Sequence, residues 1–279
     1  MIAVLMHRHP PAASPPVFAG LLLDRPRLMG IVNATPDSFS DGGRFVDAAA
    51  AIAHGKRLIA DGADILDIGG ESTRPGSQPT AEADELRRVQ PVIDGLRDAG
   101  AVLSIDTRKP AVMRAAIRTG CAIVNDVNAL QGDGLAVVAG SDAAVILMHM
   151  QGEPATMNVA PRYSDVVREV RDFLSARVEA CVKAGIAQAR IAIDPGIGFG
   201  KTPAQNWQLI DRLAELAILG CPIAIGISRK LAPRGIEGKA GRDARETASR
   251  EAGVLAVRNG AAILRVHDVA AMRAALGAD

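Results

Sequence analysis

From residue 27 onward the chain alternates short runs of Ile, Val, Leu and Ala with longer amphipathic stretches, and it does so eight times. The runs fall at 27–32, 64–68, 101–106, 121–125, 144–148, 190–194, 222–227 and 262–266. Most are apolar at nearly every position, as strands covered on both faces of a parallel sheet should be. The stretches between them, for example 47–60, 82–98, 164–184, 204–216 and 245–259, carry helical periodicity. Eight strand–helix units in about 250 residues predict an α/β fold, a (β/α)8 barrel in preference to an open doubly wound sheet.

A chain of 279 residues with 48% hydrophobic content can bury such a core as one domain. Residues 27–279 are read as the barrel. Residues 1–26, with His7, Arg8, His9 and the prolines Pro10, Pro11, Pro15 and Pro16, are read as an irregular leader covering the barrel bottom. That leader lacks the apolar core of a signal peptide, and no apolar run approaches the roughly 20 residues that cross a bilayer. A soluble cytoplasmic protein is expected. Cys121, Cys181 and Cys221 are odd in number, far apart and without metal-binding spacing, which suits buried reduced thiols. A formal net charge of +1 gives no reason to expect nucleic acid or an acidic membrane as partner, so any bound anion must be met by local charge.

The polar residues are more informative. Asn33, Asp67, Asp106, Asn125 with Asp126, Asp194, Ser228 with Lys230, and Arg265 with His267 all lie at or just beyond the carboxyl end of a strand. In this kind of barrel that end is the catalytic face. Singly, each is ordinary turn or N-cap chemistry, but that explanation does not easily cover all of them together. Along 263–267 a period of two puts Arg265 and His267 on one face, opposite Leu264 and Val266. With Arg74 nearby, these would form a phosphate site. Asp106, Asn125 and Asp194 suit a flat heterocyclic edge bearing adjacent N–H donors, such as an aminopteridine.

Four loops complete the pattern. After the first strand, 33–43 is polar, carries Phe39 and ends in Gly42-Gly43. After the second, Gly69-Gly70-Glu71-Ser72-Thr73-Arg74-Pro75-Gly76 would let backbone approach a ligand while Thr73 and Arg74 reach it. After the sixth, Asp194 to Lys201 places Phe199 between Gly198 and Gly200. Aromatic residues are only 3% of the chain, so Phe39 and Phe199 in glycine-bearing loops are read as facing a ligand. After the seventh, parity puts Ser228 and Lys230 on one side, and 231–242 is expected to be a mobile loop.

Taken together, the segments 29–43, 62–76, 104–108, 124–127, 148–157, 194–201, 228–230 and 265–268 resemble the dihydropteroate synthase family over essentially the whole barrel. The resemblance implies a transferase of folate biosynthesis that joins a pterin methyl diphosphate to 4-aminobenzoate. Asp106, Lys230, Arg265 and His267 would carry the chemistry. It implies a pterin pocket of Asp106, Asn125, Met148, Asp194, Lys230 and Arg265. A diphosphate subsite would be built from Asn33, Thr73, Arg74, Arg265 and His267, with Mg2+ on Asn33. An aminobenzoate pocket would comprise Phe39, Thr73, Pro75, Phe199 and Ser228, open to sulfonamide mimics. Asp67 is expected to orient loops, and the family implies a homodimer. A pterin-dependent methyltransferase would share the barrel and the acids without a diphosphate site. A non-catalytic pterin-binding paralogue would share the fold alone.

Overall fold

The computed structural model of the chain describes residues 15–35, 43–72, 77–153, 156–157, 159, 161–236 and 241–277. Eight parallel strands close into a barrel: β3 (Arg27–Asn33), β4 (Ile65–Gly69), β5 (Val102–Asp106), β6 (Ile123–Asp126), β7 (Ala144–Met148), β8 (Ile191–Asp194), β9 (Ile223–Gly226) and β10 (Ala261–Val266), with β10 pairing back onto β3. Helices α1 (Gly43–Ala60), α2 (Glu82–Leu96), α3 (Pro110–Thr119), α4 (Gly134–Ala139), α5 (Val166–Lys183), α6 (Pro203–Asp211), α7 (Arg242–Arg258) and α8 (Val269–Ala275) follow the strands in turn. The expected (β/α)8 barrel is therefore what the chain forms. The stretch expected as one helix at 204–216 is divided: α6 stops at Asp211 and a 3-10 helix covers Leu213–Leu219.

Local chemistry sets several of the helix starts. Thr202 and Gln205 form a reciprocal capping box at the head of α6, with Pro203 at the first helical position, where a missing N–H costs nothing. Asp165 caps α5 by accepting from the Val167 and Arg168 amides.

Strand alternation sorts the core into two parts. Outward side chains such as Leu28, Val32, Leu66, Ile68, Leu103, Ile105 and Leu264 pack under the helices. Inward ones in the lower barrel, Met29, Ile65, Ile123, Ala144, Ile146, Ala192, Ala224 and Ile263, form a separate cluster closed from below by Phe18. Phe18 belongs to a hairpin rather than to irregular chain: β1 (Val17–Phe18) pairs antiparallel with β2 (Leu21–Leu22) through Ala19 and Gly20, both at positive φ. The reading of 1–26 as irregular is corrected for this part, because a two-residue turn lets Phe18 bury its ring completely. Asp64 anchors the exit of the hairpin, accepting from Arg25, Arg27 and the Leu28 amide at 2.6–3.1 Å.

The three cysteines are free and buried. Burial pushes the Cys121 thiol up to about 12 and Cys181 up to about 11, far from the thiolate form that reacts. Among the described residues, no helix is long and apolar enough to cross a membrane.

Candidate active site

Two residues above the apolar inner layer the same strands turn polar. Ile65 gives way to Asp67, Ile123 to Asn125, Ala192 to Asp194 and Ile263 to Arg265, while β5 contributes Ser104 and then Asp106. Because the side-chain period of a strand is two, these groups are bound to point into the barrel at its carboxyl end.

Asp67, fully buried, is the hub. One oxygen accepts from the Ser104 hydroxyl at 2.6 Å, and the other from Asn125 Nδ2 at 2.9 Å and from Arg265 Nε at 2.5 Å. Arg265 reaches on to Asp106 Oδ2 through Nη2 at 2.6 Å. Burial opposes the guanidinium charge, but Asp67 and Asp106 outweigh it and raise its pKa further. Burial pushes the Asp106 carboxyl up to about 7, against the pull of Arg265. Asp67 therefore does not orient loops, as the sequence suggested; it compensates and aims Arg265.

Asp194 and Lys230 face this triad. Asp194 accepts from the Gly196 amide at 2.7 Å, and burial raises its pKa while Lys230 opposes the rise. Lys230 is brought down to about 8 by burial. A Cβ at Gly226 would come within 3.2 Å of Lys230 Nζ, 3.7 Å of Asp194 Oδ2 and 3.8 Å of Arg265 Cδ. Gly226 is thus the floor over which acid, ammonium and guanidinium converge, and a side chain there would fill the mouth.

The Lys230 ammonium also lies 4.4 Å from the centre of the Phe199 ring, a cation–π contact. Phe199 is only 7% exposed and packs with Val127, Met148 and Met157 in a small cluster detached from the main core. Ser228 turns elsewhere: its hydroxyl meets His267 Nδ1 at 2.9 Å. The parity argument that put Ser228 and Lys230 on one side does not apply, since β9 ends at Gly226 and residues 227–230 turn, with Arg229 at φ 61°. Arg229 holds that turn through its amide to Ser249 and its guanidinium to Glu246.

Arg265 and His267 both lie at the end of β10, but they form no pair of free cations, because Arg265 is engaged by carboxylates and His267 by Ser228. Asn33, half-buried, sits at the end of β3 in register with Gly69. Phe39, Thr73, Arg74 and Pro75 lie outside the described residues. The opening of the segment after Lys230, expected as part of a mobile loop, is packed down in this structure: Leu231 is buried, Trp207 Nε1 donates to Ala232 O at 3.0 Å, and Arg234 pairs with Asp211 at 2.6 and 2.9 Å while lying over the Trp207 ring. Residues 237–240 of it lie outside the described residues.

Sequence reasoning missed two supports of the mouth. Lys109 bridges Glu71 and the fully buried Glu85, and Arg108 adds to Glu71 at 3.4 Å, tying the loop after β4 to α2 and α3. Burial works against the Glu71 charge, yet Lys109, the Thr80 amide and Arg108 hold its carboxyl below the usual range. The second support is the buried pair Lys201 and His149. Nothing in residue type or spacing signals either, since the partners come from separate segments of the chain.

A closed barrel whose mouth holds paired carboxylates around an arginine and a lysine is the frame of an enzyme for a flat, hydrogen-bonding heterocycle, and residues 29–267 match the family model of pterin binding enzymes, so the chain belongs to that family. Within it the chain stands with the dihydropteroate synthases, transferases of folate synthesis. It is 46% identical over 261 residues to the dihydropteroate synthase of Neisseria meningitidis serogroup C, covering 92% of each chain. The Xanthomonas albilineans dihydropteroate synthase solved with 4-aminobenzoic acid superposes with a TM-score of 0.85 at 51% identity, covering 93% of this chain and 94% of that one. The Yersinia pestis dihydropteroate synthase in a sulfonamide drug complex superposes at 0.84 with 41% identity, covering 92% and 94%.

Proposed function

We propose that the barrel mouth joins 6-hydroxymethyl-7,8-dihydropterin diphosphate to 4-aminobenzoate, giving 7,8-dihydropteroate and pyrophosphate, with the residue roles that follow. The observation that carries the assignment is the Asp67–Arg265–Asp106 chain of ion pairs set against Asp194 and Lys230. Asp106, Asn125 and Asp194 offer acceptors and an amide to the donor edge of the pterin, with Met148 and Lys230 completing its pocket. Arg265 and His267, with Asn33, Thr73 and Arg74, receive the diphosphate. Phe199 and Ser228, with Phe39, Thr73 and Pro75, receive the aminobenzoate, which sulfonamides would mimic.

The reaction breaks the bond between the pterin methylene carbon and the diphosphate oxygen, the neutral aromatic amine adds to that carbon, and the acidic arylammonium so formed gives up one N–H proton to water or to the released diphosphate. No strong base is needed. Asp106 and Asp194 stabilise positive charge that develops on the pterin, and Arg265 and His267 stabilise the departing anion. Holding the two substrates in line supplies the entropic part.

Asn33 is the residue that would hold Mg2+. Among the described residues no group of three or more His, Cys, Asp or Glu is gathered for a metal. A single neutral oxygen donor fits an ion that keeps its waters and arrives on phosphate oxygens. When bound, the ion supplies further positive charge to the leaving group. We further propose a cytoplasmic homodimer formed through helices away from the mouth, to be checked by light scattering. Incubating the protein with both substrates and Mg2+ and measuring pyrophosphate tests the reading; absence of turnover would leave a non-catalytic pterin-binding paralogue.

A further inference from the structure

Lys201 closes the glycine-rich segment that follows β8, and its ammonium is buried, with 5% of the residue exposed. Its acceptors are His149 Nδ1 at 3.0 Å, Gly196 O at 2.9 Å and Phe199 O at 2.9 Å, with His149 O farther off at 3.4 Å. Three N–H donors thus meet three close acceptors. Among the described residues no carboxylate lies within ion-pairing distance of it. Burial brings this lysine down to about 7, and burial together with the Lys201 charge brings His149 down to about 3, so the imidazole is neutral and free to accept through Nδ1.

A buried cation solvated by backbone carbonyls is costly, and the segment is built to provide for it. Gly196, Gly198 and Gly200 all have positive φ, and the turn they make brings the carbonyls of Gly196 and Phe199 to the same ammonium. The segment also lies hard against the one after β7: a Cβ at Gly196 would collide with the His149 carbonyl, and one at Gly200 would come to 2.5 Å from Gln151 O. The His149 amide donates to Asp194 O at 3.0 Å and the Tyr163 hydroxyl to Gly200 O at 2.9 Å. The His149 ring is fixed edge-on against Phe173, 4.9 Å between centres. Lys201 therefore binds two mouth loops into one rigid piece from beneath, and Phe199 is the residue whose backbone it grips and whose ring faces the other way, toward Lys230.

We infer that Lys201 is a positioning residue for the aminobenzoate pocket: by holding the Phe199 carbonyl against His149, it fixes the ring that forms one wall of that pocket. This rests on the assignment of Phe199 made above. The pterin acids stand on strands, and Asp194 keeps its own bonds to Gly196 and His149, so the effect of losing the ammonium falls on the second substrate.

The test uses the full-length enzyme with Lys201→Met, Phe199→Ala and Tyr163→Phe, reading steady-state constants for both substrates, sulfonamide inhibition, pterin affinity by calorimetry, and melting. Lys201→Met is expected to raise KM for aminobenzoate and the sulfonamide inhibition constant by about 10-fold each, with pterin affinity held within about 3-fold, because a wall displaced by a fraction of an ångström loses orientation and not chemistry. A purely structural role would lower the melting temperature and the active fraction while leaving both KM values alone, and that result in a folded variant overturns the inference. Should Lys201→Met fail to fold, Tyr163→Phe loosens the same segment more gently, removing one donor, that to the Gly200 carbonyl, where Lys201→Met removes three. It is expected to raise KM for aminobenzoate by about 2-fold with the pterin affinity unchanged, and no change there overturns the inference equally. Phe199→Ala separates the two readings. If it leaves aminobenzoate KM unaltered, the pocket assignment itself fails; if it raises KM and Lys201→Met does not, only the role of Lys201 falls.

Discussion

The two ends of this barrel are made by the same strands and solve opposite problems. At the bottom, Met29, Ile65, Ile123, Ala192 and Ile263 fill the interior with hydrocarbon and Phe18 seals it. Two residues higher, Asp67, Asn125, Asp194 and Arg265 occupy the equivalent inward positions. The lower layer needs only volume, so its parts are interchangeable in kind. The upper layer consists of polar and charged groups withdrawn from water, each tolerable only because of its neighbours, consistent with the upward displacement of Asp106 to about 7 and the downward displacement of Lys230 to about 8. Both layers therefore contribute stability, but only the upper one carries chemistry.

Substitutions at the two ends should separate these properties. The largest effect is expected for Arg265→Met, which leaves Asp67 and Asp106 as uncompensated buried acids: roughly 3–5 kcal/mol of stability is lost on chemical denaturation, with turnover. A variant of wild-type stability would break the contrast. Phe18→Ala should cost a similar or slightly smaller amount, roughly 3–5 kcal/mol for a fully buried aromatic. Activity per folded molecule, measured well below the melting point, should be retained there, and its loss would show that the two ends are coupled. Asp106→Ala is expected to abolish detectable pterin binding in calorimetry, a loss of roughly 1–3 kcal/mol or more from an unsatisfied heterocyclic donor, with the fold intact by circular dichroism.

The pH dependence is a smaller effect. Ionised, Asp106 accepts through both oxygens, whereas protonation turns one of them into a donor facing the donor edge of the pterin; burial holds its carboxyl near 7, so pterin affinity should fall as pH is lowered through that value. A single titrating group limits the fall to about tenfold per pH unit, and Asp106→Asn should flatten it. Smallest of all, Thr202→Ala removes one side of the α6 capping box and should cost about 1 kcal/mol without changing either substrate's KM.

Much of this was legible in the sequence. Eight apolar runs sufficed for the strands, because hydrocarbon on both faces is a local requirement. The strand-end polar residues Asp106, Asn125 and Asp194 were legible for a related reason: a polar residue closing an apolar run is conspicuous. What escaped was whatever depends on a partner from elsewhere in the chain. Asp67 looked like a loop support because its link to Arg265 spans 198 positions. The parity reading at Ser228 and Lys230 failed because a turn at Arg229 ends the strand first, and positive φ in an arginine has no sequence signature. Nor could residue types alone show that the opening of the segment after Lys230 is held down by an indole, or that the hairpin around Phe18 would be regular.

That indole is the only tryptophan among the 279 residues. It is 7% exposed, its N–H is committed to Ala232, and the Arg234 guanidinium lies 4.1 Å from its ring. Excited at wavelengths that tyrosine does not absorb, the protein therefore carries a single intrinsic emitter, wired to the stretch of backbone that leaves the Ser228-Arg229-Lys230 turn. Its fluorescence needs no label: a blue emission reports the indole buried and the segment seated, and a red-shifted one reports it lifted into water. Titrated with substrates one at a time, that signal would time the movements of this edge of the mouth against the steps of turnover.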